Sequence, residues 1–322
     1  MTMRGGLTLA AGILAGLWID TLRRTARADR EHPPQGDFVD ANGVRLHVME
    51  RGRGSPVVFF HGNGTLADDF AMSGVLDAVG QRHRAIAIDR PGTGHSERPW
   101  GSMTPSQQAH ILHDGIVALN ASKPVIVGHS LGAAVALAYA LEFPHEVGGV
   151  VFLAGQCYPG PRFDFLPFMV PAIPVVGQVM SRTVLQPIDR ALLPGLLARI
   201  FEPNPVPESY KRLPADVLLR PSQLDANAAD LSALIPALAT MAPRYPEISC
   251  PLAILAGEED RIVDPHTNAA RLHRDVRGST LHLLAGTGHM VHHARPEAVI
   301  SAIESVLRDA QMDAMQEQQE VG

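Results

Sequence analysis

PVIVGHSLGAAVALAYALEF, residues 124–143, holds the segment on which the fold turns. It opens on the short apolar run PVIVG, typical of a strand buried on both faces, and continues into a helical stretch over 131–142. Between them lies Gly128-His129-Ser130-Leu131-Gly132, a G-x-S-x-G motif in the strand-to-helix context that gives the motif its meaning. Glycines at its ends permit a turn too tight for side chains, which presents the Ser130 hydroxyl at a strand end above a helix N-terminus. The competing reading, a chance Gly-Ser turn, leaves the flanking strand and helix unexplained.

Further short apolar runs on either side read as strands: PVVFF at 56–60, RAIAI at 84–88, VGGVVFL at 147–153, PLAILAG at 251–257 and STLHLLAG at 279–286. Helical stretches near 66–79, 105–120, from 265 and from Pro296 to about 311 alternate with them, the βα pattern of a parallel sheet covered on both faces. FVDANGVRLHVME reads as a hairpin turned at Asn42-Gly43. The fold class is therefore α/β, with a mostly parallel sheet and helices on both faces. The alternation lapses over 156–248, far longer than a crossover requires, and that apolar, proline-rich stretch reads as an inserted helical cap of short, proline-broken helices. The expected division is an N-terminal segment 1–34, a core of 35–155 and 249–312, the cap, and a frayed tail 313–322.

A serine is a weak nucleophile without a base. Of 15 histidines, His289 follows the last strand in Gly286-Thr287-Gly288-His289, where a loop at the sheet edge can aim it at Ser130. His292 and His293 read as the start of the next helical turn, and His129 as too close to the serine to reach it. Asp260, just after PLAILAG, is the expected carboxylate that orients the histidine, in the order Ser, Asp, His. Glu258 and Glu259 read as solvated loop charges, and Asp264, before Pro265, as a helix N-cap. Backbone N–H groups of Leu131 and of Asn63, with Gly64 as the alternative, are the expected oxyanion hole.

HGNG at 61–64, DRPGTGHSERP at 89–99, GHSLG, GEEDRIVDP at 257–265 and GTGHM at 286–290 together resemble the α/β-hydrolase superfamily over roughly 37–310. The resemblance implies an eight-stranded sheet, a cap between the sixth and seventh strands, and a purely structural part for Asp89, Arg90 and Ser96. Ser130 and the following Leu131 depart from the dehalogenase and epoxide-hydrolase branches, which use an aspartate nucleophile.

The expected activity is serine-dependent hydrolysis of a hydrophobic carboxylic ester through an acyl-enzyme. Carbon–carbon or lactone hydrolysis by the same triad is the alternative, and a non-catalytic binding module ranks last. No metal or cofactor is called for. A net charge of −6 without a basic run argues against nucleic acid as a partner. Cys157 and Cys250 are expected to be free thiols. The uncharged run Gly5–Ile19, followed by Arg23, Arg24, Arg27 and Arg30, reads as a membrane-associating anchor over 5–22. Its alternatives are a signal peptide cleaved near Ala28, giving a secreted or periplasmic protein, and a helix packed on the domain.

Overall fold

Asn42 and Gly43, at φ 54° and 89°, turn the chain between β1 (Asp37–Ala41) and β2 (Val44–Arg51) in the computed structural model. Two consecutive left-handed residues match the twist of a tight hairpin, which is why Asn-Gly stands there. Residues 3–99, 101–211 and 215–321 are described. A helix, α1 (Met3–Glu31), precedes the hairpin. After it come β3 (Pro56–Phe60), α2 (Asp68–Met72), α3 (Val75–Gly80), β4 (Arg84–Ile88), α4 (Pro105–Ala118), β5 (Val125–His129), α5 (Leu131–Glu142) and β6 (Gly149–Leu153).

An insertion follows: a 3-10 helix (Phe163–Ala172), α6 (Val176–Ser181), α7 (Leu185–Phe201), α8 (Glu208–Lys211), α9 (Ala215–Leu218), α10 (Pro221–Met241) and a second 3-10 helix (Ala242–Glu247). The chain then returns through β7 (Leu252–Gly257), α11 (Ala269–Asp275), β8 (Thr280–Leu284), α12 (Val291–Ala294) and α13 (Pro296–Val321).

The eight strands form one sheet in the order β1-β2-β4-β3-β5-β6-β7-β8, antiparallel only at β1–β2 and β2–β4. Alternate strand residues feed two cores. Val58, Phe60, Ile86, Ile88 and Ile126 pack with α4 and α5 on one face. Val57, Phe59, Ala85, Ala87 and Val127 pack with α3 and α13 on the other. Burial on both faces is what makes these strands unbroken apolar runs. After β3 the chain moves outward to β4 and returns to β5 on β3's other side, so the strand order reverses between β3 and β5. Such a switch point leaves a crevice at the carboxyl ends of the strands, where open α/β sheets place ligands.

Several expectations need correction. The helix expected over 66–79 is two helices, broken at Gly74, which adopts φ 80°. The helix expected from 265 begins at Ala269, because Asp264 Oδ1 accepts the Thr267 N–H at 2.7 Å and closes a turn first. The tail expected to fray continues α13 to Val321, since 312–321 holds Met, Ala, Gln and Glu, good helix formers, and neither Gly nor Pro. Proline does not break every helix of the insertion. α7 runs through Pro194 and α10 through Pro236. In α10, burial of Leu231, Leu234, Leu238 and Met241 in the main core outweighs the one backbone bond a proline removes.

The N-terminal expectation also changes. No helix among the described residues is long and apolar enough to cross a membrane. At 1.5 Å per residue the run Gly5–Ile19 reaches about 22 Å, against the roughly 30 Å of a bilayer's hydrocarbon core. The arginine-rich half of α1 instead docks on the insertion: Ala28 is buried with Leu66, Val217 and Leu218, and Asp29 pairs with Arg220 at 2.9 Å. Leu9, Ile13, Ile19 and Leu22 remain exposed. Cys157 and Cys250 are free thiols.

Candidate active site

Ser130 lies between β5 and α5 at φ 53°, ψ −115°, a conformation that costs a non-glycine residue of order 1–3 kcal/mol. Its neighbours hold it there. A Cβ on Gly128 would collide with the Gly132 carbonyl, and one on Gly132 with the Phe60 carbonyl, so strand, turn and helix close on one another through glycine alone. Leu131 opens α5, and a first-turn N–H has no partner within its own helix.

His289 Nε2 is 3.0 Å from Ser130 Oγ, and His289 Nδ1 is 2.8 Å from Asp260 Oδ2. The Asp260 side chain is fully buried, and its Oδ1 accepts the N–H groups of Ile262 at 2.7 Å and Val263 at 2.9 Å. A carboxylate only accepts, so Nδ1 carries the proton toward Asp260 and Nε2 turns a lone pair toward the serine hydroxyl. The structure thus brings together the three residues expected to form the triad. Glu259 is more than a solvated charge. Its Oε2 accepts the Thr287 N–H at 2.9 Å, tying the β7 loop to the histidine loop, and backbone N–H groups of Gly286 and Thr287 hold its carboxyl below the usual range.

The loop after β3 borders Ser130. A Cβ on Gly62 would stand 3.2 Å from the Ser130 Cβ and 3.0 Å from His129 Nδ1. His61 accepts the Arg90 N–H on Nε2 at 3.0 Å, so its Nδ1–H donates to the Gly62 carbonyl at 2.8 Å. Burial, reinforced by the Arg90 charge, pushes His61 down to about 4, so the ring is neutral at pH 7. The Gly64 N–H donates to Asn227 Oδ1 of α10 at 3.3 Å, which occupies the alternative oxyanion donor.

Asp89 and Arg90 support this loop from below. Asp89 Oδ1 accepts the Ala67 N–H at 2.8 Å, and its Oδ2 faces His47 Nδ1 at 2.8 Å. Arg90, wholly buried, donates to the carbonyls of His61 and Gly62 and pairs with Asp230 of α10 at 2.8 Å. Ser96 Oγ donates to the Asp89 carbonyl at 2.7 Å.

A second cluster lies behind the histidine loop. Buried Asp69 faces His292 Nε2 at 3.0 Å and His293 Nε2 at 2.7 Å. Burial opposes its charge, but the two imidazoles hold its carboxyl well below the usual range. These three side chains form the one group among the described residues whose metal-ligand atoms are close enough to share an ion, and direct hydrogen bonds already link them. Sequence reading missed this site. His292 and His293 do begin the helical turn expected of them, but nothing in Asp68-Asp69 announces a partner over 220 positions away.

Residues 57–302 match the alpha/beta hydrolase family. The chain is 28% identical to 2-hydroxy-6-oxo-2,4-heptadienoate hydrolase of Pseudomonas putida, over 84% of this chain and 96% of that one. Among solved structures, the enol-lactonase of Burkholderia xenovorans superposes with a TM-score of 0.67 at 20% identity, covering 84% of this chain and all of the other. A thermophilic esterase from Thermogutta terrifontis gives 0.63 at 23%, covering 86% and 99%. At those identities the two structures speak to the fold alone.

Proposed function

The chain belongs to the alpha/beta hydrolase family, and from that premise we propose that it is a serine hydrolase that cleaves hydrophobic carboxylic esters through an acyl-enzyme on Ser130. The observation that carries this reading is the continuous chain Ser130 Oγ to His289 Nε2 at 3.0 Å and His289 Nδ1 to Asp260 Oδ2 at 2.8 Å. His289 takes the hydroxyl proton as Ser130 Oγ bonds to the substrate carbonyl carbon. The Leu131 N–H, and that of Asn63 beside Gly62, receive the developing oxyanion, and each such donor contributes about a hundred- to a thousandfold in rate. Collapse of the intermediate breaks the ester C–O bond, and the leaving oxygen takes the proton from His289. Water, deprotonated by the same His289 Nε2, then releases the acid and restores Ser130.

The insertion supports the apolar substrate class. It is rich in proline, leucine and alanine, acts in this reading as a cap, and reaches the loop after β3 through Asn227. An apolar cap excludes water from the acyl transfer. A second reading, carbon–carbon or lactone hydrolysis by the same three residues, is favoured by the activity named for the Pseudomonas putida relative. For location, we propose peripheral membrane attachment through the exposed apolar side chains of α1, checked by flotation of the full chain and of a chain lacking residues 1–19 with lipid vesicles.

Hydrolysis of p-nitrophenyl esters from acetate to palmitate, with fluorophosphonate labelling, tests the main reading. Wild type is expected to turn over and label, and Ser130→Ala to do neither while keeping its circular dichroism. Labelling without ester turnover moves the reaction to the second reading. Turnover that survives in Ser130→Ala refutes both.

A further inference from the structure

We infer that Asp69, acting through His292 and His293, is a positioning residue that sets the catalytic histidine loop against the oxyanion loop and the insertion. The inference rests on the serine-hydrolase reading above.

Two segments meet at this carboxylate, and two more pack against its histidine partners and helix. Asp69 sits in α2, immediately beyond the loop 61–67 that carries the proposed oxyanion donor. His292 and His293 sit in α12, three and four residues after His289. His129, next to the nucleophile, packs its ring 4.5 Å from His292 and 4.9 Å from His289, and its Nε2–H donates to the His289 carbonyl at 3.1 Å. From the insertion, Phe201 and Tyr210 meet the His293 ring edge-on at 5.2 and 5.6 Å, while Ser209 Oγ donates to the Met72 carbonyl at the end of α2.

The protonation pattern makes these contacts directional. A carbonyl only accepts, so His129 carries its proton on Nε2. A carboxylate only accepts, so His292 and His293 each present an N–H to Asp69. Burial holds His129 and His292 below the ordinary histidine range, so both stay neutral at pH 7. Their Nδ1 atoms have no hydrogen-bond partner among the described residues. Asp69, the side chains of both its histidine partners, Phe70, Phe201 and Tyr210 are all buried. Apolar side chains would fill such a space at no desolvation cost. One carboxylate bonded to two consecutive side chains does what they cannot: it fixes the rotation of the α12 turn. The His289 carbonyl is fixed in turn by His129. A displacement of about 1 Å at a reacting group costs about a hundredfold in rate, which sets the scale of what this clamp can protect.

The test compares Asp69→Asn, His293→Leu and His293→Gln with wild type, using p-nitrophenyl acetate and counting active sites by fluorophosphonate titration. Glutamine keeps a donor near the place of the imidazole Nε2, whereas leucine only fills volume. Expected are a kcat per titrated site at least about tenfold lower in Asp69→Asn and His293→Leu at unchanged KM, and recovery to within about threefold of wild type in His293→Gln. If Asp69→Asn does not fold, the His293 pair carries the comparison. Wild-type kcat per site in His293→Leu, whatever its melting temperature, overturns the inference, and so does equal loss in the leucine and glutamine variants. Ser130→Ala is run alongside: turnover that persists in it overturns the serine-hydrolase reading itself, a different result from Ser130-dependent turnover that the cluster variants leave unchanged.

Discussion

Replacing Asp260 by asparagine probes the site with almost no change in shape. The two backbone donors, Ile262 N–H at 2.7 Å and Val263 N–H at 2.9 Å, both point at Oδ1 and can be satisfied only by an oxygen. The amide oxygen of the substituted side chain must therefore take that place, and its NH2 must face His289 Nδ1. An NH2 donates, so Nδ1 becomes the acceptor and the ring proton moves to Nε2, toward Ser130. The imidazole is then held in the tautomer that cannot accept the serine proton, and it has no carboxylate to stabilise its cation. The same reversal in a serine protease lowers kcat by about ten-thousandfold, or about 5.5 kcal/mol in activation free energy. A comparable loss is expected here in the rate of acylation, followed by stopped-flow release of p-nitrophenol. The melting temperature should change little, because both backbone donors keep an acceptor. Glu259→Gln, in which the side chain can still accept from Thr287, serves as the control and should lose less than about tenfold. Asp260→Asn retaining more than a tenth of wild-type activity would refute the assignment, and an inactive Glu259→Gln beside it would transfer the role.

Three other outcomes follow from the packing and the titration directions. Asp230→Asn leaves the wholly buried Arg90 without its carboxylate and should cost about 3–5 kcal/mol in chemical denaturation, with the strongest loss of structure in α10. Gly132→Ala drives a methyl group into the Phe60 carbonyl, so soluble, active protein in normal yield would contradict the close packing of elbow and β3. Folded-state pKa values of His61, His129 and His292 are lowered, so below about pH 6.5 the unfolded chain binds protons that the native state refuses. Stability should therefore fall as the pH drops from about 6.5 toward 4, by up to about 1.4 kcal/mol per pH unit from His61, with His129 and His292 acting in the same direction. His47, raised by its contact with Asp89 despite burial, acts in the opposite sense. Urea midpoints that stay level over this range would contradict the burial of those rings as neutral species.

Features of this protein that depend on neighbours in the chain follow from local chemistry. Runs such as PVVFF and RAIAI begin and end where β3 and β4 do, because a strand covered on both faces has to be apolar along its whole length. Asn42-Gly43 and Gly128-His129-Ser130-Leu131-Gly132 specify their turns because only certain residues tolerate those backbone angles or contacts. Ser130, Asp260 and His289 stand out as candidates because each lies within five residues of the carboxyl end of a strand, and parallel strands deliver those ends to one edge.

Tertiary structure decided whatever depended on partners distant in sequence. The break at Gly74, the continuity of α10 through Pro236 and the docking of α1 on the insertion all reflect competition between local preference and packing. The Gly64 N–H is taken up by Asn227, more than 160 positions away, a contact that no local pattern in the sequence announces. Asp69 reads as an ordinary acidic residue in the first turn of a helix until the fold sets His292 and His293 against it. A carboxylate's role is set by what is buried beside it, and burial is a property of the assembled chain.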